Sequence, residues 1–191
     1  WASHRRSGVL SPALTGAAQD RHDATLQSID HLPLPDSARP DMKPHDLEKF
    51  LTTKIPLAKF MHVSVVSVHR DTLVLSAPLE PNANVHQTLF GGSAASIALI
   101  AAWSLLFTRM KDENVTGTVV VHRHSMTYHR PVTGQFTARA KFATPESWQE
   151  FVEALDHKSR GRITLETDLH YEGQVAAHLK GEFFASRSQG T

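Results

Sequence analysis

The segment Asn84-Val85-His86-Gln87-Thr88-Leu89-Phe90-Gly91-Gly92-Ser93 carries residue types and a spacing that chemistry can use. It leads from a strand-end loop into an apolar, charge-free stretch. Adjacent glycines at a helix start let another molecule approach the backbone. The unpaired N–H groups of the first turn, backed by the helix dipole, favour an oxygen carrying negative charge. That is the arrangement of an oxyanion hole. The same glycine pair also allows close packing of helix on sheet, and spacing alone weighs the two readings equally. No Gly-Lys-Ser or Gly-Lys-Thr follows, so the segment is not a phosphate loop.

Composition narrows the chemistry further. The 191 residues include no cysteine, which removes disulfides, thiolate zinc sites, iron–sulfur clusters and a Cys nucleophile. Catalysis then falls to oxygen, nitrogen or backbone groups. With 20 Lys and Arg against 19 Asp and Glu, nothing electrostatic argues for nucleic acid or an anionic membrane as partner. His122 and His124 are expected on one face of a strand with Arg123 on the other. The spacing can bind metal, but no carboxylate or thiolate nearby in sequence completes a site, so neither a metal nor a cofactor is expected. Arg123 and Arg130 suit a coenzyme phosphate or an acidic carrier surface as well as they suit solvent. His86, in the motif loop, is placed to contact substrate or simply to face water. Trp148 and Phe151 are expected to pack their helix on the sheet rather than to form an acyl pocket.

The elements that must position these residues follow from punctuation and periodicity. Asp46 is expected to cap a short helix with Leu47, Phe50, Leu51 and Ile55 on one side, ending near Pro56. Residues 61–68 and 72–79 read as a hairpin around Arg70-Asp71. Residues 94–107 are apolar around the whole helix circumference, so that helix is expected to be buried on nearly all sides. Its length, Ser96, Ser104 and its strand-like flanks make it a core helix, not a membrane span. Residues 119–128 and 136–142 read as strands joined through Arg130-Pro131-Val132-Thr133-Gly134. Thr144 is expected to cap, and Pro145 to start, a helix with Trp148, Phe151, Val152 and Leu155 on one face. Alternation at Ile163, Leu165, Thr167, Leu169 and Tyr171, then at Val175, Ala177, Leu179 and Phe183, marks the last two strands.

One apolar helix among six alternating strands is buried if an antiparallel sheet curls around it, which is the α+β hot-dog arrangement. A βαβ fold would need a helix between nearly all strands. The expected organisation is one such domain over 44–186, with short N-terminal and inserted helices and a tail at 187–191. A Pro-rich leader, extended or disordered, is expected over 1–43. Arg5 and Arg6 without an acid in the first stretch faintly suggest targeting, but Ser11, Pro12, Thr15 and Gly16 interrupt the apolar run a secretory signal needs. A cytoplasmic protein is expected, with organelle targeting by the leader left open. A sheet edge and a half-built cleft predict a symmetric homodimer or a dimer of dimers.

Three stretches carry a family resemblance: the run 84–93, the buried Ala95-Ser96-Ile97-Ala98-Leu99-Ile100-Ala101-Ala102-Trp103-Ser104-Leu105-Leu106, and Tyr128-His129-Arg130-Pro131-Val132-Thr133-Gly134. Over about residues 45–186 the chain resembles the thioesterase-type hot-dog domain of the YiiD C-terminal family. The resemblance implies a dimer whose sites lie at the subunit interface and accept acyl groups on coenzyme A or acyl carrier protein. It implies that the N–H of Gly91 or Gly92 polarises the thioester carbonyl and that Asn84 orients water or substrate. With Ser93 these are the candidate catalytic residues. The candidate substrate-binding residues are His86, Thr88, Phe90, Ser96, Leu99, Arg123, Tyr128 and Arg130.

One departure from the family's hydrolytic relatives matters. Many carry an Asp or Glu about two helical turns beyond the oxyanion glycine, where this chain has Leu99. Ser93 or Ser96 would need an activating partner to replace that acid. Some family members are associated with malonyl-acyl-carrier-protein decarboxylation, which supplies an acetyl primer for fatty acid synthesis. Loss of carbon dioxide leaves an enolate oxygen that needs donors, and an apolar wall disfavours the departing carboxylate's charge without any base. The expected function is therefore malonyl-thioester decarboxylation. Hydrolysis of acyl-CoA or acyl-carrier thioesters and noncatalytic acyl-thioester binding are the alternatives.

Overall fold

A computed structural model of the chain describes residues 42–187. The expected leader, save its last two positions, and the tail beyond 187 lie outside the described residues. Pro44 opens α1 (Pro44–Lys54), where a missing N–H costs nothing. Lys43 holds the cap position, so Asp46 lies inside the first turn against the positive end of the dipole and does not cap as expected. Pro56 starts a second short helix, α2 (Pro56–Phe60). Its closing turn includes Met61 N–H to Leu57 O at 2.9 Å and Val63 N–H to Ala58 O at 3.0 Å, which delays the first strand from 61 to 64. β1 (Ser64–Val68) and β2 (Thr72–Ala77) form the predicted hairpin. β2 stops short of 79 because a 3₁₀ turn over Glu80–Asn82 follows, with Asn82 N–H donating to Leu79 O at 2.8 Å.

The central helix, α3 (Gly91–Asp112), is longer at both ends than its charge-free segment predicts. Its last turns stay helical because Arg109, 5% exposed, is matched by partners. Arg109 Nη1 lies 2.7 Å from Asp71 Oδ1, and Nε lies 2.6 Å from Glu113 Oε1 as an ion pair rather than an aligned hydrogen bond. The guanidinium also sits 4.9 Å from the Trp148 ring centroid. After α3 come β3 (Thr118–Tyr128), β4 (Phe136–Phe142), α4 (Ser147–Lys158), β5 (Arg160–Tyr171) and β6 (Gln174–Ser186). Glu146, not Thr144, precedes α4; the Thr144 carbonyl instead accepts the Ser147 hydroxyl at 2.6 Å. Trp148, Phe151 and Leu155 pack inward, as expected.

The strands form one antiparallel sheet in the order β1-β2-β4-β5-β6-β3. Period-2 alternation sets its two faces. In β5, Ile163, Leu165, Thr167 and Leu169 are buried, while Glu166 and Asp168 face away. Thr167 Oγ1 donates to Ala98 O at 3.1 Å, which fixes α3 on the inner face. The alanines Ala94, Ala98, Ala101 and Ala102 are fully or almost fully buried, and their small side chains let helix and sheet approach closely. Although α3 is long and apolar enough to cross a membrane, it forms this core.

One stripe of α3 corrects the all-round burial expected of it. Ala95, Ser96 and Leu99 are only half-buried, because the sheet covers one side of the helix. Farther along, α1 covers the stripe through Phe50, whose ring stacks 5.0 Å from Phe107; Trp103 stacks 4.9 Å from Phe107.

The two sheet edges differ. β1 is short, irregular between Val65 and Ser67, and tied to α1 by Val65 N–H donating to Glu48 Oε2 at 2.8 Å. Among the described residues no strand pairs with the outer edge of β3, and of its 11 residues all but Val119 and Met126 are exposed. Its register slips between Val121 and Arg123, so His122 is a bulged extra residue. The bulge turns His122 and Arg123 to the same carboxylate, with His122 Nε2 3.7 Å and Arg123 Nη2 3.3 Å from Glu182 oxygens. The expected alternation of His122 and His124 against Arg123 is therefore overturned.

Candidate active site

A cleft of about 600 Å³ opens where the N-terminus of α3 meets the β3–β4 connection and the start of β6. Leu89, Gly91, Gly92 and Ala94 form one wall, Tyr128 to Val132 the other, and Leu169, Ala176 and Ala177 the floor. Backbone hydrogen bonds assemble these distant segments. Phe90 N–H donates to Asn82 O at 2.8 Å, Leu89 N–H to Val132 O at 2.9 Å, and the His129 and Arg130 amides to Ala176 O at 2.9 and 3.2 Å. Asn82 anchors the loop to the core: 1% exposed, its Nδ2 donates to Met61 O at 2.9 Å and Pro78 O at 2.8 Å. Thr133 Oγ1 and Tyr171 Oη, 2.9 Å apart, hold the opposite loop.

The cleft's chemistry is concentrated in the first turn of α3. Phe90 occupies the cap position and makes no side-chain cap. Ala94 N–H is the first amide bonded back, to Phe90 O at 2.9 Å, and the amides of Gly91, Gly92 and Ser93 have no partner among the described residues. Three unpaired donors thus stand at the positive end of a 22-residue helix. The glycines leave room for neighbours on both sides. A Cβ at Gly92 would strike the Phe90 ring, and one at Gly91 would come within 3.3 Å of Tyr128 Oη, which donates to Gly91 O at 2.8 Å. At the rim, Arg130 is hydrogen-bonded to Gln174 and lies 3.9 Å from Glu172. Among the described residues, no Asp or Glu lines the cleft.

Residues 44–187 match the family described as "Putative thioesterase (yiiD_Cterm)". The chain belongs to this family. Among solved structures it is similar to a protein of unknown function from Chlorobaculum tepidum, at 29% identity and a TM-score of 0.72, over 81% of this chain and 100% of that one. It is also similar to a "putative thioesterase" from Shewanella oneidensis, at 26% identity and a TM-score of 0.66, over 75% and 97% of the two chains. A "probable thioesterase" from Pseudomonas aeruginosa, at 19% identity and a TM-score of 0.65, covers 82% of this chain and 98% of its own and shares the fold. The sheet and helix described above are the hot-dog fold of this thioesterase superfamily.

Within the hot-dog domain, the residues named from sequence fall into separate groups. Gly91, Gly92, Tyr128 and Arg130 line the cleft together. Asn84, His86 and Thr88 lie in the adjoining turn, where Asn84 Nδ2 donates to Thr88 Oγ1 at 2.9 Å; none of the three lines the cleft. Phe90 packs its ring beside Gly92. Ser93 contributes a free amide. Ser96 and Leu99 sit on the half-buried stripe, and Leu99 lies seven residues beyond Gly92, about two turns along the same helix face. Arg123 alternates away from Tyr128 to the outer face, where it pairs with Glu182.

Sequence reasoning missed His129, although it quoted the run containing it, and it missed the floor residues Leu169, Ala176 and Ala177. The adjacent alanines in β6 were the available signal, since small side chains at a strand end leave room for a ligand. The outer face carries a separate ion cluster. Burial pushes the Asp168 carboxyl up, but the hydrogen bond to His178, 2.6 Å away, and the charges of Lys141, His178 and His170 outweigh it and hold Asp168 below its usual value.

Proposed function

We propose that this domain is a homodimeric decarboxylase of malonyl thioesters carried on acyl carrier protein or coenzyme A, supplying acetyl primers for fatty acid synthesis. The observation that carries the reading is the pairing of unpaired first-turn amides, two of them on the cleft-lining Gly91 and Gly92, with a cleft that no carboxylate lines among the described residues. The amides suit an oxygen that gains charge during reaction. In decarboxylation the C–C bond to the carboxylate breaks, carbon dioxide departs, and the electron pair passes to the thioester carbonyl as an enolate. A proton from water on the α-carbon then gives the acetyl thioester. The floor of Leu169, Ala176 and Ala177 is apolar and disfavours the charge that leaves. Arg130 at the rim suits the phosphate of a phosphopantetheine arm. Asn84 serves by closing the 84–88 turn that leads into the cleft wall. The dimer reading rests on the bare edge of β3, which ends at Tyr128 on the cleft.

Hydrolysis is the second reading, and His129 favours it as the one histidine among the described residues that line the cleft, and hence a candidate base. Leu99→Asp separates the two. In a decarboxylase a new charge two helical turns beyond Gly92, on the same helix face, should repel the malonyl carboxylate and suppress carbon dioxide release; in a hydrolase it restores an acid at the usual place and raises thiol release. Leu99 is half-buried, so circular dichroism of the variant must first match the wild type.

A further inference from the structure

Tyr128 makes a bond that the helix itself does not need. A helix N-terminus has surplus N–H groups, not surplus carbonyls, so a hydroxyl that donates to a first-turn carbonyl satisfies no orphan group. Tyr128 Oη nevertheless donates to Gly91 O at 2.8 Å, from a residue 54% exposed that has open solvent as an alternative. Glycine at 91 accommodates it, since a Cβ there would crowd the hydroxyl at 3.3 Å.

The bond reaches the candidate oxyanion hole through one rigid unit. The carbonyl of Gly91 and the N–H of Gly92 belong to the same planar peptide and point in opposite directions. Fixing one end fixes the other. Donation to the carbonyl also draws electron density toward oxygen, which makes the N–H of that peptide a stronger donor. Gly92 N–H has no partner among the described residues, and Gly92 lines the cleft.

We propose that Tyr128 is a positioning residue: through the Gly91–Gly92 peptide it aims and polarises the Gly92 N–H toward the acyl oxygen of a bound thioester. The action of Tyr128 is on the Gly92 N–H alone, because the Gly91 N–H belongs to the preceding peptide, which Tyr128 does not touch. The inference rests on the thioester reading of the cleft and holds for decarboxylation and hydrolysis alike.

Tyr128→Phe in the full chain tests it with two readouts. In turnover of malonyl-CoA, kcat should fall roughly tenfold with KM changed less than twofold, a fraction of the hundredfold or more that follows loss of an oxyanion donor. In ¹⁵N-glycine-labelled protein, the Gly92 amide resonance should move downfield when wild type binds acetonyl-CoA, a ketone analogue of the thioester. The move should be clearly smaller in the variant at saturation. A variant with wild-type kcat and the same Gly92 response overturns the positioning role. A variant in which KM alone rises makes Tyr128 a substrate contact and also overturns it. If the wild type neither turns over thioesters nor shows a Gly92 response, the reading of the cleft fails, and this inference falls with it.

Discussion

Asn84 and Thr88 close a turn through both ends of the asparagine amide: Nδ2 donates to Thr88 Oγ1 at 2.9 Å, while Oδ1 accepts the Thr88 amide at 3.3 Å and the His86 amide at 2.8 Å. An asparagine so engaged shapes the turn that leads into the cleft wall, and this gives the motif's first residue a task other than touching substrate.

Replacement of Asn84 by alanine should therefore reduce activity and stability together. Loss of the turn's side-chain hydrogen bonds should lower unfolding free energy by about 1 kcal/mol, read from urea titration. Turnover should fall with it, and Asn84→Asp, which keeps the Oδ1 acceptor, should lose less of both. A hundredfold loss of turnover with unchanged stability would instead mark Asn84 as a direct donor to the substrate.

The bare edge of β3 predicts the assembly state. Val120 and Val121, 51% and 45% exposed on this edge strand, offer backbone and apolar surface to a second copy. The wild-type chain should be dimeric or larger by light scattering at micromolar concentration. Val120→Glu with Val121→Glu should give a folded monomer, since the symmetric seam would bring like charges together. A double variant that stays a dimer would place the contact elsewhere.

How far the sequence led can be traced residue by residue. The strands at 163–171 and 175–183 were legible because period-2 alternation survives wherever one face is buried, and Gly91, Gly92, Tyr128 and Arg130 were legible because local motifs announce them. The cleft floor was not, since Leu169 meets Ala177 only through the β5–β6 register, a long-range pairing that local patterns do not encode. The ends of α3 were misjudged for a related reason: Arg109 reads as the end of an apolar segment until Asp71, Glu113 and Trp148 are brought around it. The bulge at His122 has no glycine or proline to signal it, and one extra residue was enough to reverse the side on which Arg123's neighbour points.

The outer-face cluster gives a pH prediction whose sign is fixed. Asp168 is held below its usual carboxyl value in the folded chain, so its ionised form favours folding. That contribution is present above the ordinary value near 3.8 and is lost as pH falls through the lower folded value. Asp168→Asn should lower the melting temperature at neutral pH, and the gap to wild type should close as the pH is taken well below 3.8. An unchanged gap across that range would show that Asp168 ionisation contributes nothing to stability.

The most direct measurement of the proposed activity is the mass spectrum of the carrier-bound product after incubation with malonyl thioesters of acyl carrier protein and of coenzyme A in deuterated water. Decarboxylation through an enolate predicts an acetyl thioester still attached to its carrier, with deuterium from solvent in the methyl group and one carbon dioxide released per turnover. Free carrier thiol together with malonate, and no acetyl thioester, would contradict it.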